Sequence, residues 1–243
     1  MKARIQLIST LSAAALALCA CGKPSGDTRT ASPPATETPA KTKEPPAKTV
    51  QPANPNEISL FDGKSLGKWK RLDFGDDAKV EVKDGVLEVG TGLMINAVAW
   101  DGDPPAKTNF EVELEGRKTD GSDFLLGLTV PVGESHISWI CGGWGDSVVG
   151  LSNINGLDAS ENDTALMMGF EKDKWYRFKM RVEPERIQCW IDGESVIDAN
   201  IKDKEIGLRW GDIEMCVPIG LATYQTTAQY RNIVWRNLPS GKE

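Results

Sequence analysis

The chain has 243 residues, 28 of them lysine or arginine and 35 aspartate or glutamate, and its only histidine is His136. Seven basic but only three acidic residues precede position 57, so residues 57–243 carry a net charge of −11. Such an acidic domain would repel phosphate backbones, which argues against a nucleic-acid partner. No CxxC or Cys/His cluster occurs, which excludes a structural zinc site.

Residues 1–20 have the layout of a secretory signal, with Lys2 and Arg4 ahead of an apolar run that is too short to span a bilayer. Residues 18–21, Leu-Cys-Ala-Cys, resemble the lipobox of bacterial lipoproteins. The resemblance implies cleavage after Ala20 and a diacylglyceryl group on Cys21. An ordinary cleaved signal is the alternative. We therefore expect an exported protein, lipid-anchored to the bacterial cell envelope on its periplasmic or cell-surface side.

Residues 21–56 begin with that cysteine and continue as a stalk rich in Pro, Thr, Ala and Lys, with no aromatic residue and a single valine. A segment of this composition cannot bury enough apolar surface to offset its ordering entropy. We predict a disordered stalk that holds the domain of residues 57–243 away from the membrane.

Short alternating runs separated by turn signals fill residues 57–243, and no amphipathic helix of ten residues or more is evident. This pattern predicts an all-β sandwich. The predicted strands are 80–82, 86–89, 110–114, 124–130, 135–141, 176–182, 187–191, 218–224 and 228–238.

Three stretches resemble known families. Residues 60–69, LFDGKSLGKW, are similar to the opening of the 3-keto-glycoside lyase/hydratase domain, also called the 3-keto-disaccharide hydrolase domain. Residues 218–221 with 230–233 resemble its close, and 174–193 resemble a hairpin of concanavalin A-like lectins and glucanases. The resemblance implies a jelly roll of two antiparallel sheets that binds carbohydrate on its concave face. Many members carry a histidine after the closing Ile-Gly-Leu, where this chain has residues 222–225, Ala-Thr-Tyr-Gln.

If 124–130 and 135–141 pair as a hairpin, the period of two sorts their side chains onto two faces. The face predicted to lie in the core carries Phe124, Leu126, Leu128, Val130, Ile137, Trp139 and Cys141. The opposite, wetter face carries Asp123, Gly127, Thr129, Glu134, His136 and Ser138.

The resemblance implies cleavage of a 3-keto glycoside. In that reaction a base removes the hydrogen on C2, which the neighbouring ketone acidifies, and a cation or hydrogen-bond donor stabilises the enolate. His136 is the expected base, because its ordinary pKa lies near operating pH. Asp123 or Glu134 would orient it, or would ligate a divalent cation, for which one histidine plus carboxylates favour Ca, Mg or Mn. The alternative is a solvated histidine on an exposed sheet face.

A carbohydrate-binding module without catalysis is the main rival hypothesis, because eight tryptophans offer faces for sugar stacking. Trp100, Trp144 and Trp210 sit in loop-like contexts and are the expected sugar contacts, with Ser138 and Thr129 beside them. The expected packing residues are Trp69, Trp175, Trp190 and Trp235. A structural envelope lipoprotein is a third reading, and a two-carboxylate glycosidase a fourth, although no pair of acids is singled out for it.

Two smaller features stay open. The oxygen-rich residues 158–163 are interpreted as a polar loop, because they lack the spacing and glycine of a calcium loop. Cys141, Cys189 and Cys216 permit one disulfide with one free thiol, but their number does not require any.

Overall fold

A computed structural model describes residues 56–239 of the protein. The predicted signal peptide, the lipidation site at Cys21 and the stalk up to residue 55 lie outside the described residues. Within residues 56–239, no helix is both long and apolar enough to cross a membrane.

The described residues form a sandwich of two antiparallel sheets, so the all-β prediction is confirmed. In chain order the strands are β1 (Glu57–Ser59), β2 (Trp69–Arg71), β3 (Val80–Lys83), β4 (Val86–Val89), β5 (Ile95–Trp100), β6 (Phe110–Gly121), β7 (Leu126–Val132), β8 (Ser135–Gly142), β9 (Val148–Ser152), β10 (Leu166–Met167), β11 (Tyr176–Glu183), β12 (Arg186–Ile191), β13 (Glu194–Asn200), β14 (Gly220–Tyr224) and β15 (Thr226–Asn237). Sheet A has the order β13-β12-β11-β6-β15-β4-β3, with β1 added on β15, and sheet B has the order β10-β9-β8-β7-β14-β5-β2.

The hairpin of β7 and β8 sorts its side chains much as the sequence predicts. Thr129 lies opposite Ser138, and Leu128 lies opposite Trp139. Trp139 is fully buried between the sheets and meets Phe178 of sheet A edge-on, with ring centroids 5.8 Å apart. Hydrophobic burial from both sheets therefore forms one continuous core.

Phe124 departs from its predicted place in the core. The regular ladder of β7 begins only at Leu126, and Leu125 is fully buried just ahead of it. Leu125 also donates its backbone N–H to the carbonyl of Cys141. This irregularity breaks the period of two, so Phe124 instead packs on the outer face of sheet B beside Tyr224.

A 3-10 helix, Asp212–Cys216, covers part of the outer face of sheet B. Its buried side chains, Ile213 and Cys216, pack against small residues of the sheet such as Ala97 and Ala222. A Cβ atom at Gly220 would lie 2.5 Å from the Cβ of Cys216, so only glycine permits this approach. The segment around the 3-10 helix thus forms one side of an open cleft.

Candidate functional site

A cleft of about 590 Å³ opens on the outer face of sheet B. Its size is that of ordinary small-molecule sites, about 300–1,000 Å³. Ser138 and Ile140 of β8 and Ser152 of β9 contribute to its lining, because their side chains alternate with those that face the core. Residues 209–213, which lead into the 3-10 helix, form one side of the cleft. Trp144 also contributes to the lining.

The cleft has a polar end near β8 and β9. Asp158 accepts hydrogen bonds from the Ser152 hydroxyl and, at 3.0 Å, from the backbone N–H of Ala159. Its second oxygen, Oδ2, lies 2.8 Å from Nη1 of Arg209. The guanidinium is mostly solvent-exposed, so its remaining N–H groups are free to meet a ligand. Asp158 therefore holds a cationic donor at the cleft.

The opposite end, near β5 and β14, is apolar. Its lining comes from Met94, Ile95, Phe124, Ile213 and Tyr224. The Phe124 and Tyr224 rings lie 5.8 Å apart between centroids, and the Tyr224 hydroxyl donates to the Met94 sulfur at 3.4 Å. This end therefore offers flat aromatic and thioether surface with one hydroxyl.

Two exposed tryptophans flank the cleft. Trp210 is 89% exposed and Trp144 is 41% exposed. Trp144 lies in the turn 143–146 between β8 and β9, where Trp144, Gly145 and Asp146 all have positive φ angles of 52°, 76° and 64°. A positive φ is unfavourable for residues other than glycine, so the turn needs tertiary support.

Two carboxylates supply that support. Asp146 is ion-paired with Lys118, whose side chain is only 7% exposed and which belongs to sheet A. Asp123 accepts a hydrogen bond from the Gly145 backbone N–H at 2.8 Å and another from the Phe124 N–H. The predicted site residue Asp123 thus lines the cleft with both oxygens already bonded to backbone.

His136 lies on the same face of β8 but outside the cleft lining. It is half-buried and sits opposite Pro131, two residues from Ser138. Burial, and then the positive charge of Lys107, lower the pKa of the imidazole below its ordinary value. The lowered pKa favours the neutral imidazole, which can accept a proton but is a weaker base than an ordinary histidine.

The structure does not bring the two expected carboxylate partners together with His136. Glu134 accepts a hydrogen bond from the Lys107 ammonium at 2.7 Å, which also lowers the pKa of Glu134. Asp123 lies near the Cys141 end of β8, and five residues of strand separate His136 from Cys141, about 17 Å. An orienting pair with His136 is thus not formed by either carboxylate in this structure.

Of the five residues predicted to contact sugar, three line the cleft and two do not. Ser138, Trp144 and Trp210 line the cleft, whereas Thr129 is fully buried beneath it and shares a 2.8 Å hydrogen bond with the Ser138 hydroxyl. Trp100 lies away from the cleft and packs edge-on against Trp69, with centroids 5.4 Å apart.

The four tryptophans expected to pack do so. Trp69 and Trp235 are buried in the core, and Trp175 and Trp190 lie half-buried against arginine or lysine side chains of sheet A.

The sequence reasoning did not single out Asp158, Arg209, Asp212, Tyr224 or Met94 as site residues. Arg209 and Asp212 flank Trp210 in the sequence, and Trp210 alone of the three was predicted to contact sugar. The signal that matters is long-range, because Ser152, Asp158 and Arg209 meet only in the folded chain.

Within residues 56–239, no group of three or more His, Cys, Asp and Glu side chains is arranged to hold a metal ion. Residues 158–163 form a loop in which Asp158 is bonded to protein groups, as a polar loop requires. Cys141, Cys189 and Cys216 are free and buried, and burial raises the pKa of the Cys216 thiol to about 12.

Comparison with family models identifies the domain. The model of the 3-keto-alpha-glucoside-1,2-lyase-like domain matches residues 56–236. The chain belongs to this family. Membership confirms the resemblance read from residues 60–69 and 218–233, and it supports a carbohydrate-related role for the 3-keto-glucoside-lyase-like domain described above. Comparison with curated protein sequences found no match.

Solved structures agree on the fold. A Crh5 transglycosylase in complex with NAG is similar with a TM-score of 0.52 at 12% identity, covering 76% of this chain and 85% of that one. A native glycosidic hydrolase has a TM-score of 0.51 at 10% identity over 77% and 98% of the two chains. The carbohydrate-binding module CBM66 from Bacillus subtilis has a TM-score of 0.46 at 15% identity, over 70% and 95%. At these identities the likeness to the transglycosylase and to the glycosidic hydrolase concerns the fold alone, and no argument rests on the module.

Proposed function

We propose that this domain cleaves 3-keto glycosides by elimination followed by hydration, a net hydrolysis, in the cleft of sheet B. The observation that carries the proposal is one cleft that holds Arg209, ion-paired with Asp158, two exposed tryptophans, and Asp212, whose carboxylate has no partner among residues 56–239. Family membership points to the same substrate class.

The carboxylate assignment follows from the hydrogen bonds of the cleft. Asp123 and Asp158 have both oxygens bonded to protein groups. Asp212 is exposed, and no hydrogen bond or ion pair to the described residues occupies its carboxylate. Asp212 is therefore the cleft acid with lone pairs available to accept a proton from a ligand.

In the first step Asp212 removes the C2 proton, whose acidity the neighbouring C3 ketone raises. The electron pair moves onto the ketone oxygen, and the guanidinium of Arg209 donates hydrogen bonds to the developing enolate. The enolate then re-forms the ketone and expels the C1 substituent, which leaves a C1=C2 double bond. The departing oxygen takes up a proton, so no oxidant or reductant is needed.

In the second step water adds to C1 of the enone, and a proton returns to C2. Arg209 again stabilises the enolate that forms, because addition passes through the same charge distribution as elimination. Trp144 and Trp210 provide stacking surfaces for the sugar ring. The products are the 3-keto sugar and the free aglycone.

We further propose that the domain acts while tethered by lipidated Cys21, outside the cytoplasm. The lipobox-like Leu-Cys-Ala-Cys and the Pro/Thr-rich stalk support this. A lipid anchor is tested by metabolic labelling with a fatty-acid probe, which Cys21→Ser should abolish.

The decisive experiment measures aglycone release by the full chain from 3-keto glucosides and from the same glucosides unoxidised, with and without EDTA. We expect release from the keto sugars only. Sensitivity to EDTA would support the divalent cation expected from the sequence. Release from neither class, with retained glycan binding, would favour the non-catalytic binding module.

Two substitutions then locate the base. Asp212→Asn should reduce turnover at least 100-fold, whereas His136→Gln is the matched change at the histidine outside the cleft lining. If His136→Gln loses turnover and Asp212→Asn retains it, the base is His136, as expected from the sequence.

A further inference from the structure

The two ends of the cleft differ in chemistry. Ser138, Ser152, Asp158 and Arg209 gather hydroxyls and charges at one end, and Met94, Phe124 and Tyr224 form the other. Ser138 lies on β8 and Tyr224 on β14, two strands apart, so the ends are separated by about 10 Å. The cleft can therefore hold a sugar ring at one end and a second ring at the other.

We propose that the apolar end is an aglycone subsite that selects glycosides of aromatic alcohols over disaccharides. This inference rests on the proposed function, because it names the leaving group of that same reaction. The 3-keto sugar ring lies at the polar end, near Arg209, and the aromatic aglycone lies against Met94, Phe124 and Tyr224.

The first argument concerns hydroxyl groups. A second sugar ring would bring several hydroxyls to the apolar end, and each hydroxyl buried there without a partner would lose its hydrogen bonds to water. Ile95 and Ile213 offer none, and the Tyr224 hydroxyl is directed at the Met94 sulfur. An aromatic ring makes no such demand.

The second argument concerns packing. Aromatic rings gain from offset or edge contacts with other rings, and thioether sulfur gains from contact with a ring edge. The Phe124 and Tyr224 rings are tilted by 35° relative to each other, and the Met94 sulfur stands beside them. Met94 is 47% exposed, so its flexible side chain can adapt to a ring.

The third argument concerns the leaving group. Among the described side chains that form the apolar end, Tyr224 supplies the only hydroxyl, and the neighbouring Asp123 has both oxygens bonded to backbone N–H groups. A phenol has a pKa near 10, as in tyrosine, so a phenolate departs without a general acid more readily than a sugar alkoxide.

The chain provides a matched pair of residues for the test. Leu93 and Met94 are adjacent and both exposed, at 79% and 47%, but only Met94 lines the cleft. Met94→Gln removes the thioether with little change in volume, and Leu93→Gln makes the equivalent change one residue away. Thermal unfolding of both variants verifies that each is folded.

The experiment measures kcat/KM of the full chain for a phenyl 3-keto-glucoside and for a 3-keto disaccharide of the same anomeric configuration. Because the intrinsic reactivity of the two leaving groups cancels between variants, the readout is the change in their ratio. We expect Met94→Gln to lower the aryl-to-disaccharide ratio about 10-fold, within the range of a lost apolar contact. We expect Leu93→Gln to leave it unchanged. A ratio unaltered in Met94→Gln, or lowered equally in both variants, would overturn the subsite.

If no keto glycoside is turned over, the proposed function fails, and equilibrium binding of the unoxidised phenyl glucoside and disaccharide decides the subsite separately. Tighter binding of the phenyl glucoside that Met94→Gln weakens would support it. Equal binding of both ligands would reject it.

Discussion

The two sheets of the sandwich present opposite chemistry on their outer faces. On sheet A, alternating glutamates of β6 lie directly opposite arginines of the flanking strands: Glu111 faces Arg181 and Arg236, and Glu115 faces Arg177 and Arg231. The Arg181 Nε donates to Glu111 at 2.8 Å, and the Arg231 Nε donates to Glu115 at 2.7 Å. Facing pairs of opposite charge satisfy one another across the ladder.

On sheet B the outer face carries small side chains at its centre, Ala97, Gly127 and Ala222, and the chain folds over part of it. Around the remaining cleft, Trp210 is largely exposed and Asp212 has no partner among residues 56–239. The glutamates of β6 on sheet A already have arginine partners within the protein, whereas sheet B leaves aromatic and charged groups for a ligand. The function should therefore depend on sheet B and be insensitive to the charges on the outer face of sheet A.

The largest contrast is expected between two exposed arginines that are each paired with an aspartate. Arg209→Met, at the cleft, should lower kcat by about 100- to 1,000-fold, the effect of removing a donor to a developing oxyanion. The fold should persist, because Asp158 keeps its bonds to Ser152 and Ala159. Turnover of a 3-keto glucoside and thermal unfolding measure the two effects.

Arg186→Met on sheet A is the control, because Arg186 is likewise exposed and is paired with Asp198. Its turnover should equal that of the unchanged protein. Equal losses of turnover in the two variants would mean that the difference between the outer faces of the two sheets does not determine function.

Lys118 joins the two sheets and should matter for both stability and binding. Lys118→Met leaves the Asp146 carboxylate without its cation, and the other oxygen of Asp146 is already buried without a hydrogen-bond partner. Because breaking a largely buried ion pair is strongly destabilising, we expect a loss of about 2–3 kcal/mol in the free energy of unfolding. The left-handed turn that carries Trp144 should then loosen, with sugar affinity reduced about 10-fold.

Lys172→Met is the matched change at an exposed pair, since Lys172 meets Asp120 at 3.6 Å in solvent. It should alter unfolding by less than about 1 kcal/mol. Denaturant unfolding and sugar titrations of both variants measure these effects. A stable Lys118→Met that binds sugar normally would show that the turn needs no cation.

Features set locally along the chain could be predicted from the sequence, and features set by long-range contacts could not. The period of two placed Leu128, Trp139 and their neighbours in the core, because strand alternation is a local property that burial enforces. It misplaced Phe124, because the irregular start of β7 is set by contacts with Cys141 and is not visible locally. The family was recognisable from residues 60–69 and 218–233, which the comparison with family models confirms.

The cleft itself was only partly accessible from the sequence. Trp144 and Trp210 were identifiable because glycine-rich turns display large side chains. Arg209 becomes a site residue only through Asp158, 51 positions earlier, and no pattern along the chain records that contact. His136 attracted attention as the sole histidine, and its role stays a prediction for the His136→Gln variant to test.

The smallest expected effect is the pH dependence of the ladder on sheet A. Burial would raise the pKa of Glu113, but hydrogen bonds from Arg236 and Arg177 outweigh it, and the pKa is lowered from 4.5. A folded-state pKa below the unfolded value means that the ionised glutamate stabilises the fold above about pH 4.5, and that this contribution is lost as the pH falls through the folded pKa.

Glu113→Gln should therefore be less stable than the unchanged protein at pH 7, by about 1 kcal/mol or less, and the difference should shrink at pH 3. Urea unfolding at the two pH values measures it. Turnover at pH 7 should be unaffected, because Glu113 faces away from the cleft. A stability difference that persists at pH 3, or a loss of turnover, would show that the charges of sheet A do more than satisfy one another.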